Sequence, residues 1–209
     1  RRYAGAMTRV AGLLLAAGAG RRMGRPKATM RTAGGQPWLT RATRALHDGG
    51  CSPVVVVLGA AADEARPLLA GQDVQVVLAE DWASGMGASL RAGLAALISG
   101  EPAAGAALIH LVDLLDVGPE VVARVRGHAA PDVLARADYG HGPAHPVLIG
   151  REHWAGIVAS ATGDRGARDY LRERQVLTVD CSDLADGRDV DTPADLAALP
   201  TEPGSARET

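Results

Sequence analysis

Short apolar runs alternate with segments of helical periodicity along most of the chain. Val10 to Ala17 is apolar throughout and reads as a buried strand. Val54 to Leu58 is a continuous Val-rich run, the pattern of a strand covered on both faces. Val74 to Leu78 and Ala106 to Val112 read as two more strands. Helical patterns occupy the intervals Pro37 to His47, Ala61 to Leu69 and Met86 to Ile98, and another follows from Pro119 to Val125. In the third, Leu90, Leu94, Leu97 and Ile98 fall at i, i+4, i+7 and i+8, which is one helix face. The alternation predicts βαβ units around a mainly parallel sheet, an α/β fold.

The later part changes character. Val133 to Ala135 and Pro146 to Ile149 read as strands joined by a Gly-rich connection, Asp138 to Ala144. Helices are expected over Glu152 to Ala159 and Arg165 to Arg174, then a strand from Val176 to Val179 and a short helix from Pro193 to Leu199. No internal repeat or linker interrupts the pattern, so one domain is expected over residues 7–199. Residues 1–6 carry no pattern and read as an upstream extension before Met7. The polar stretch 200–209 is expected to be disordered.

With 209 residues the chain is long enough to bury a substantial core, and with no Phe that core must come from Ala, Leu and Val. Scarce aromatics argue against a stacking platform for single-stranded nucleic acid. A net charge of −2 does not suggest a nucleic-acid or anionic-membrane partner. The run Val10 to Ala17 is too short to span a membrane. The Gly/Arg-rich segment after it does not resemble a signal-peptide cleavage site. Cys51 and Cys181 form neither a disulfide framework nor a zinc pattern; they read as reduced thiols of a cytoplasmic protein.

The strongest local signal is Leu13 to Lys27, LLLAAGAGRRMGRPK. A buried strand runs directly into Gly18, Gly20 and Gly24. Glycine permits sharp turns with positive φ and close approach of backbone to a ligand. Successive N–H groups in such a turn form an anion-binding nest. Arg21, Arg22, Arg25 and Lys27 add positive charge beside it, so a triphosphate is the natural guest. The spacing G-x-G-x-x-x-G and the helix-breaking Pro26 depart from the dinucleotide-binding fingerprint, and the G-K-[ST] ending of a Walker A loop is absent.

Leu15 to Lys27 resembles the L-A-A-G-x-G-x-R-M-G-x-x-K signature of the molybdenum-cofactor nucleotidyltransferase-like (MobA/MocA-like NTP transferase) family. The resemblance implies a three-layer α/β/α, Rossmann-like fold of the nucleotide-diphospho-sugar transferase type. It also implies a loop wrapped around NTP phosphates, with Ala16, Ala17, Gly18, Gly20, Arg21 and Gly24 binding the nucleotide. Arg22 and Lys27 would neutralise the charge that develops in phosphoryl transfer.

Further segments match the same family in order. Trp82 to Leu94, WASGMGASLRAGL, resembles its base-contacting segment, with Gly85 and Ser89 as candidate contacts. Asp113 closes a strand, and ligands of open α/β sheets gather at the carboxyl ends of strands. A carboxylate there suits Mg²⁺, and the family places its metal-binding Asp at this position. The family's Pro two residues later is Leu115 here, with Asp116 the alternative carboxylate. His145-Pro146 resembles the family's H-P-V element on the acceptor side. Gly163 to Arg168, GDRGAR, resembles an element that opens a helix with Asp164 as its N-cap and Arg168 toward an anionic acceptor. Asp189 to Leu196, DVDTPADL, matches another, with Asp191 near the metal, Thr192-Pro193 starting a helix, and Asp189 and Asp195 structural.

The resemblance implies transfer of a nucleoside monophosphate from an NTP to a phosphorylated acceptor, with release of pyrophosphate and with Mg²⁺ as cofactor. The Ala16-Ala17-Gly18 form of the loop goes with CTP in the family, with GTP the alternative. A molybdopterin-type cofactor is the implied acceptor, and a molybdoenzyme or chaperone the implied recipient of the product. Sugar, polyol and other cofactor-precursor phosphates remain open as acceptors, as does a non-catalytic nucleotide-binding scaffold.

Overall fold

A computed structural model describes residues 8–198 of the chain. The expectations for residues 1–6 and 200–209, and the two ends of the expected domain, lie outside these residues. In chain order the elements are β1 (Val10–Ala16), α1 (Trp38–Asp48), β2 (Val54–Leu58), α2 (Ala62–Ala65), β3 (Gln75–Leu78), α3 (Met86–Gly100) and β4 (Ala106–Leu111). Then follow α4 (Pro119–Arg126), β5 (Leu134–Asp138), β6 (Pro143–Gly150), α5 (Trp154–Ser160), α6 (Arg168–Arg172), β7 (Leu177–Asp180) and α7 (Pro193–Ala197).

The strands form one seven-stranded sheet in the order β3-β2-β1-β4-β6-β5-β7. β3, β2, β1 and β4 run parallel to one another. β6 is antiparallel to both β4 and β5, and β7 is parallel to β5. The sheet is therefore mainly parallel, with one reversed strand. β1, β2 and β4 are buried at every position, which is why their sequences are continuous apolar runs.

Helices cover both faces. Side chains of adjacent strand residues point to opposite faces of a sheet. The Cβ position of Gly12 meets Leu46 of α1, whereas Leu13 meets the Cβ position of Gly93 in α3. So α1 lies on one face, packed with α4, and α3 lies on the other, packed with α5. This is a three-layer α/β/α architecture. The core is built from Leu, Val and Ala with two fully buried indoles, Trp38 and Trp154. The Trp154 indole N–H donates to the Ile149 carbonyl at 3.0 Å, so its polar atom is satisfied inside the core.

Local departures from the sequence reading have physical causes. The helix expected over Ala61 to Leu69 is α only to Ala65 and tightens to a 3-10 turn over Arg66–Leu69, where Pro67 lacks the N–H an α-helix needs. The Gly-rich connection Asp138 to Ala144 shrinks to Tyr139–Gly142, because β5 and β6 extend into it and pair as far as Asp138 with Pro143. Gly140 (φ 87°) and Gly142 (φ 113°) supply the left-handed conformations of that tight turn. The helix expected from Arg165 begins at Arg168. Gly163–Arg165 is a separate 3-10 turn, and Gly166 at φ 53° breaks the path between them.

Gly93 lets α3 sit on β1 and β2, since its Cβ position falls 2.9 Å from a Val57 methyl and closer still to Leu13. Gly93→Val is expected to destabilise the fold by about 1–3 kcal/mol through overpacking, read as a lower urea midpoint. An unchanged midpoint would mean that α3 is free to move away from the sheet.

Candidate active site

β1 feeds the loop 17–27 at the carboxyl edge of the sheet, next to the end of β4, where Leu15 pairs with Leu111. The chain leaves β1 toward β2 on one side while β4 lies on the other, the crevice in which open α/β sheets bind ligands. Gly20 has φ 61°, and a side chain there would collide with the Arg25 carbonyl. Gly24, at φ 82°, donates its N–H to the Gly20 carbonyl at 2.9 Å. These two glycines fold the loop back, so that Lys27, opening the 3-10 turn Lys27–Thr29, returns to the strand ends. A Cβ on Gly18 would meet no protein atom within 4 Å, so that part of the loop faces open space.

The opposite wall comes from the segment after β7. The Asp113 carbonyl accepts a hydrogen bond from the Val190 N–H at 3.1 Å, which ties residues 186–191 to the end of β4. Asp116 accepts from the backbone N–H groups of Asp186 (2.8 Å) and Gly187 (2.9 Å). Gly187, at φ 63°, packs on the Tyr139 ring where no side chain would fit. Thr192 and Asp195 form a capping box at the start of α7. The Asp195 carboxylate also accepts from the Asp191 N–H at 3.1 Å, which orients Asp191 inward.

Three charged side chains from these separate segments meet. The Lys27 ammonium donates to the Asp113 carboxylate and, at 2.6 Å, to Asp191. Arg22 pairs with the other oxygen of Asp191 at 2.8 Å. Lys27, Asp113 and Asp191 are shielded, with side-chain exposures of 15%, 12% and 27%, whereas Arg22 is 72% exposed on the rim. Burial alone would lower the lysine pKa, but attraction to Asp113 and Asp191 outweighs it and holds Lys27 above its ordinary value. Two carboxylates converging on one cation form a hard-oxygen pair that can hold a divalent metal. Among the described residues no group of three or more His, Cys, Asp or Glu is placed to hold a metal.

Two chambers open from this point. The first, about 400 Å³, is lined by Ala16, Ala17, Gly18, Gly20, Arg21, Arg22, Lys27, Gly85, Ser89, Asp113 and Asp191, with Trp82 and Met86. The second, about 500 Å³, contains His145 and Arg168. Leu15, Met86, Leu111, Asp164 and Asp191 line both. The sequence-selected residues are thereby gathered into one region, with Gly24 the exception: it shapes the loop and is not on the chamber wall.

Asp164 is not a helix cap: the 3-10 turn and α6 have no side-chain cap hydrogen bond, and Asp164 instead stands between the chambers. Asp116 does not take the metal position: it lines neither chamber, and its Oδ2 accepts from two backbone N–H groups. Gly85, on the wall of the first chamber, and Gly87 also make room for another chain segment. A Cβ at Gly85 would lie 2.5 Å from Asp164, and one at Gly87 would lie 2.8 Å from the Thr162 nitrogen. Asp189 does more than support: it lines the second chamber. Arg136, Arg165 and Arg188 also line it, and no motif marks the first and last of these. No motif marks Gly59 either, which lets Ala17 and Trp82 close over the end of β2.

The sequence matches the family described as the MobA-like NTP transferase domain over residues 12–179. A nicotine blue oxidoreductase of Paenarthrobacter nicotinovorans is 34% identical over 192 residues, covering 88% of this chain and 92% of that protein. Among solved structures, a nucleotidyl transferase from Methanothermobacter thermautotroptrophicus has a TM-score of 0.78 at 20% identity, covering 90% of this chain and 94% of that one. Rv0371c of Mycobacterium tuberculosis H37Rv has a TM-score of 0.76 at 28% identity, covering 92% and 97%. A complex of Rv0371c with manganese has a TM-score of 0.73 at 27% identity, with the same coverage. The fold is that of the nucleotidyltransferases.

Asp189 yields a pH prediction. Burial, then the negative charges of Asp113 and Asp191, push its carboxyl up to about 6, against the pull of Lys27 and Arg22. A folded-state pKa above the unfolded value of about 4 means that the folded protein holds this proton more tightly. The protonated group therefore contributes stability below about pH 4, and that contribution is lost as pH rises to about 6. Asp189→Asn is expected to stabilise the protein at pH 7.5 relative to wild type, by about 1 kcal/mol after solvent screening, with little effect at pH 4. Urea midpoints at both pH values, in buffer without divalent cations, measure it. An equal effect at both would rule out the electrostatic cause.

Proposed function

This chain belongs to the MobA-like NTP transferase family and has the nucleotidyltransferase fold, and we propose that it moves a nucleoside monophosphate, CMP in preference to GMP, from an NTP to a phosphorylated acceptor. The observation that carries this reading is the meeting of Lys27, Asp113 and Asp191 where two chambers join. The first chamber takes the NTP and the second the acceptor.

An oxygen of the acceptor phosphate attacks the α-phosphorus. The bond from that phosphorus to the oxygen bridging the β-phosphate breaks, and pyrophosphate leaves with the electron pair. Catalysis of such a transfer is positioning plus electrostatic stabilisation. The backbone of the Gly18–Gly20 turn cradles phosphate oxygens, and Arg22 at the rim meets the charge on the departing pyrophosphate. Lys27 has a flexible four-carbon stem. It neutralises the two carboxylates in the free protein and serves phosphate oxygens when a cation takes over that task.

Asp113 and Asp191 are the residues that would hold Mg²⁺. Two carboxylates without a third suit an ion that keeps several waters and completes its shell with substrate phosphates. When bound, it supplies charge neutralisation and polarisation of phosphate oxygens. The existence of a manganese complex of Rv0371c supports a divalent cation, since Mn²⁺ and Mg²⁺ share a preference for oxygen ligands. Preference for CTP rests on the Ala16-Ala17-Gly18 form of the loop. The Ala17 methyl packs beside Gly59 and Trp82 and trims the space next to the loop. A molybdopterin-type cofactor is the favoured acceptor; a sugar, polyol or other precursor phosphate would use the same chemistry.

One finding favours a second reading: the relative at 34% identity is an oxidoreductase. The connected chambers would then hold a reduced nicotinamide nucleotide and an oxidised organic substrate. Thermal unfolding with each ligand separates the two, because a ligand that binds the folded state raises its apparent stability. The expected result is a Mg²⁺-dependent upshift with CTP that exceeds the one with GTP and is lost in Lys27→Ala. A Mg²⁺-independent upshift with NADH or NADPH, and none with any NTP, would replace the transferase reading by the second. With an acceptor in hand, Lys27→Ala is expected to lower kcat by about 10²-fold or more, the size of effect seen when one preorganised charge-stabilising donor is removed.

A further inference from the structure

The wall of the second chamber carries charges of both signs. Asp164 and Asp191 stand where it joins the first chamber, with Asp189 two residues before Asp191 in the chain. Arg136 of β5, His145 of β6 and Arg168 of α6 line the second chamber and not the first. Arg165 and Arg188, also on the wall, are engaged by Asp169 at 3.1 Å and Asp186 at 2.9 Å. Arg136 differs from them. Its Nε is buried and has no hydrogen-bond partner among the described residues, and no acidic side chain among them pairs with Arg136 or Arg168. Their nearness to His145 shows in that residue. Burial first, then the positive charges of Arg136 and Arg168, hold its imidazole down near about 4, so it is neutral at pH 7.

Two guanidinium groups facing one cavity repel each other, and a buried donor without a partner carries a desolvation cost. An anion in the cavity removes both penalties. Guanidinium is the side chain best matched to oxyanions, because its planar fork donates two parallel hydrogen bonds. Arg136 lies on β5, two strands away from β4, which leads to Asp113. At about 4.8 Å per strand that is about 10 Å across the sheet. Arg136 therefore faces a part of the ligand remote from the reacting phosphorus.

We propose that Arg136 is an acceptor-recognition residue that, with Arg168 and His145, seats an oxyanion of the acceptor, a carboxylate or a phosphate, distant from the group that reacts. The inference rests on the reading of the second chamber as the acceptor site. It adds a condition on the acceptor: besides its reacting phosphate, the acceptor carries a second anionic group remote from it.

The test uses the full chain at pH 7.5, with the imidazole NMR signals of His145 as a local reporter and inorganic phosphate and malonate as probes. Signals are assigned with His145→Gln. One or both probes are expected to shift the His145 signals in wild type, and the apparent affinity is expected to fall about tenfold or more in Arg136→Gln. Arg136→Lys, which keeps the charge and loses the fork, is expected to fall between the two. A response to phosphate alone assigns a phosphate to this site, and a response to malonate alone assigns a carboxylate. Mg·CTP titrations in parallel report on the first chamber: an Arg136→Gln protein that binds Mg·CTP like wild type is folded. Failure of wild type to bind any NTP would speak against the transferase reading and leave the His145 response readable. No His145 shift with either probe, or an undiminished shift in Arg136→Gln, overturns the proposal.

Discussion

The Lys27 ammonium between the carboxylates of Asp113 and Asp191 is the interaction on which the site depends, because each partner arrives from a different part of the chain. Two negative charges confined at this distance repel unless a cation lies between them. Lys27 provides that cation, and Arg22 on the rim brings the group close to neutrality. The cluster is largely shielded from water, so its interactions exceed those of a surface ion pair. Loss of one member leaves the others unpaired, which costs more than the pair itself contributes.

Much of the surrounding structure holds these three side chains in register. The parallel core strands β1 and β4 deliver the Gly-rich loop and Asp113 to the same edge. The segment 186–191 is then strapped across that edge by the Asp113 carbonyl, the Asp116 carboxylate, the Tyr139 ring and the capping box of α7. Asp116 and Asp195 touch neither chamber in this arrangement; they satisfy backbone N–H groups and so set the position of Asp191. A functional group is positioned well only when its supports are themselves fixed, and here the supports are backbone hydrogen bonds and a close-packed glycine.

The same edge divides the ligand space by charge. One chamber is walled by a turn of small residues and ringed by Arg21, Arg22 and Lys27. The other has acidic residues at the junction and, on its own wall, Arg136, whose Nε has no partner among the described residues. A nucleotide and an anionic acceptor brought together across that junction would place their phosphates beside the carboxylate pair. Transfer between them then requires no protein nucleophile, and the buried thiols of Cys51 and Cys181 stay outside the chemistry.

The order of strands and helices was legible in the sequence because buried parallel strands must be continuously apolar and covering helices must carry an apolar face. The loop Gly18 to Lys27 was legible for a related reason: backbone that turns sharply at an anion site needs glycine, and nearby charge needs Arg or Lys. Family resemblance added Asp113 and Asp191, which composition and spacing alone would leave as a turn residue and a loop acid. Tertiary structure alone decided the rest. It made Asp116 a support, moved Asp164 from a helix cap to the wall between two chambers, and gave Gly85 and Gly87 to the packing of α3 against residues 161–164. It also put Arg136, an arginine in a short strand, on a cavity wall with its Nε lacking a partner among the described residues. Local sequence encodes the dihedral and solvation demands of each segment. Which distant charges come to share a cavity depends on strand order and register, and these are properties of the assembled sheet.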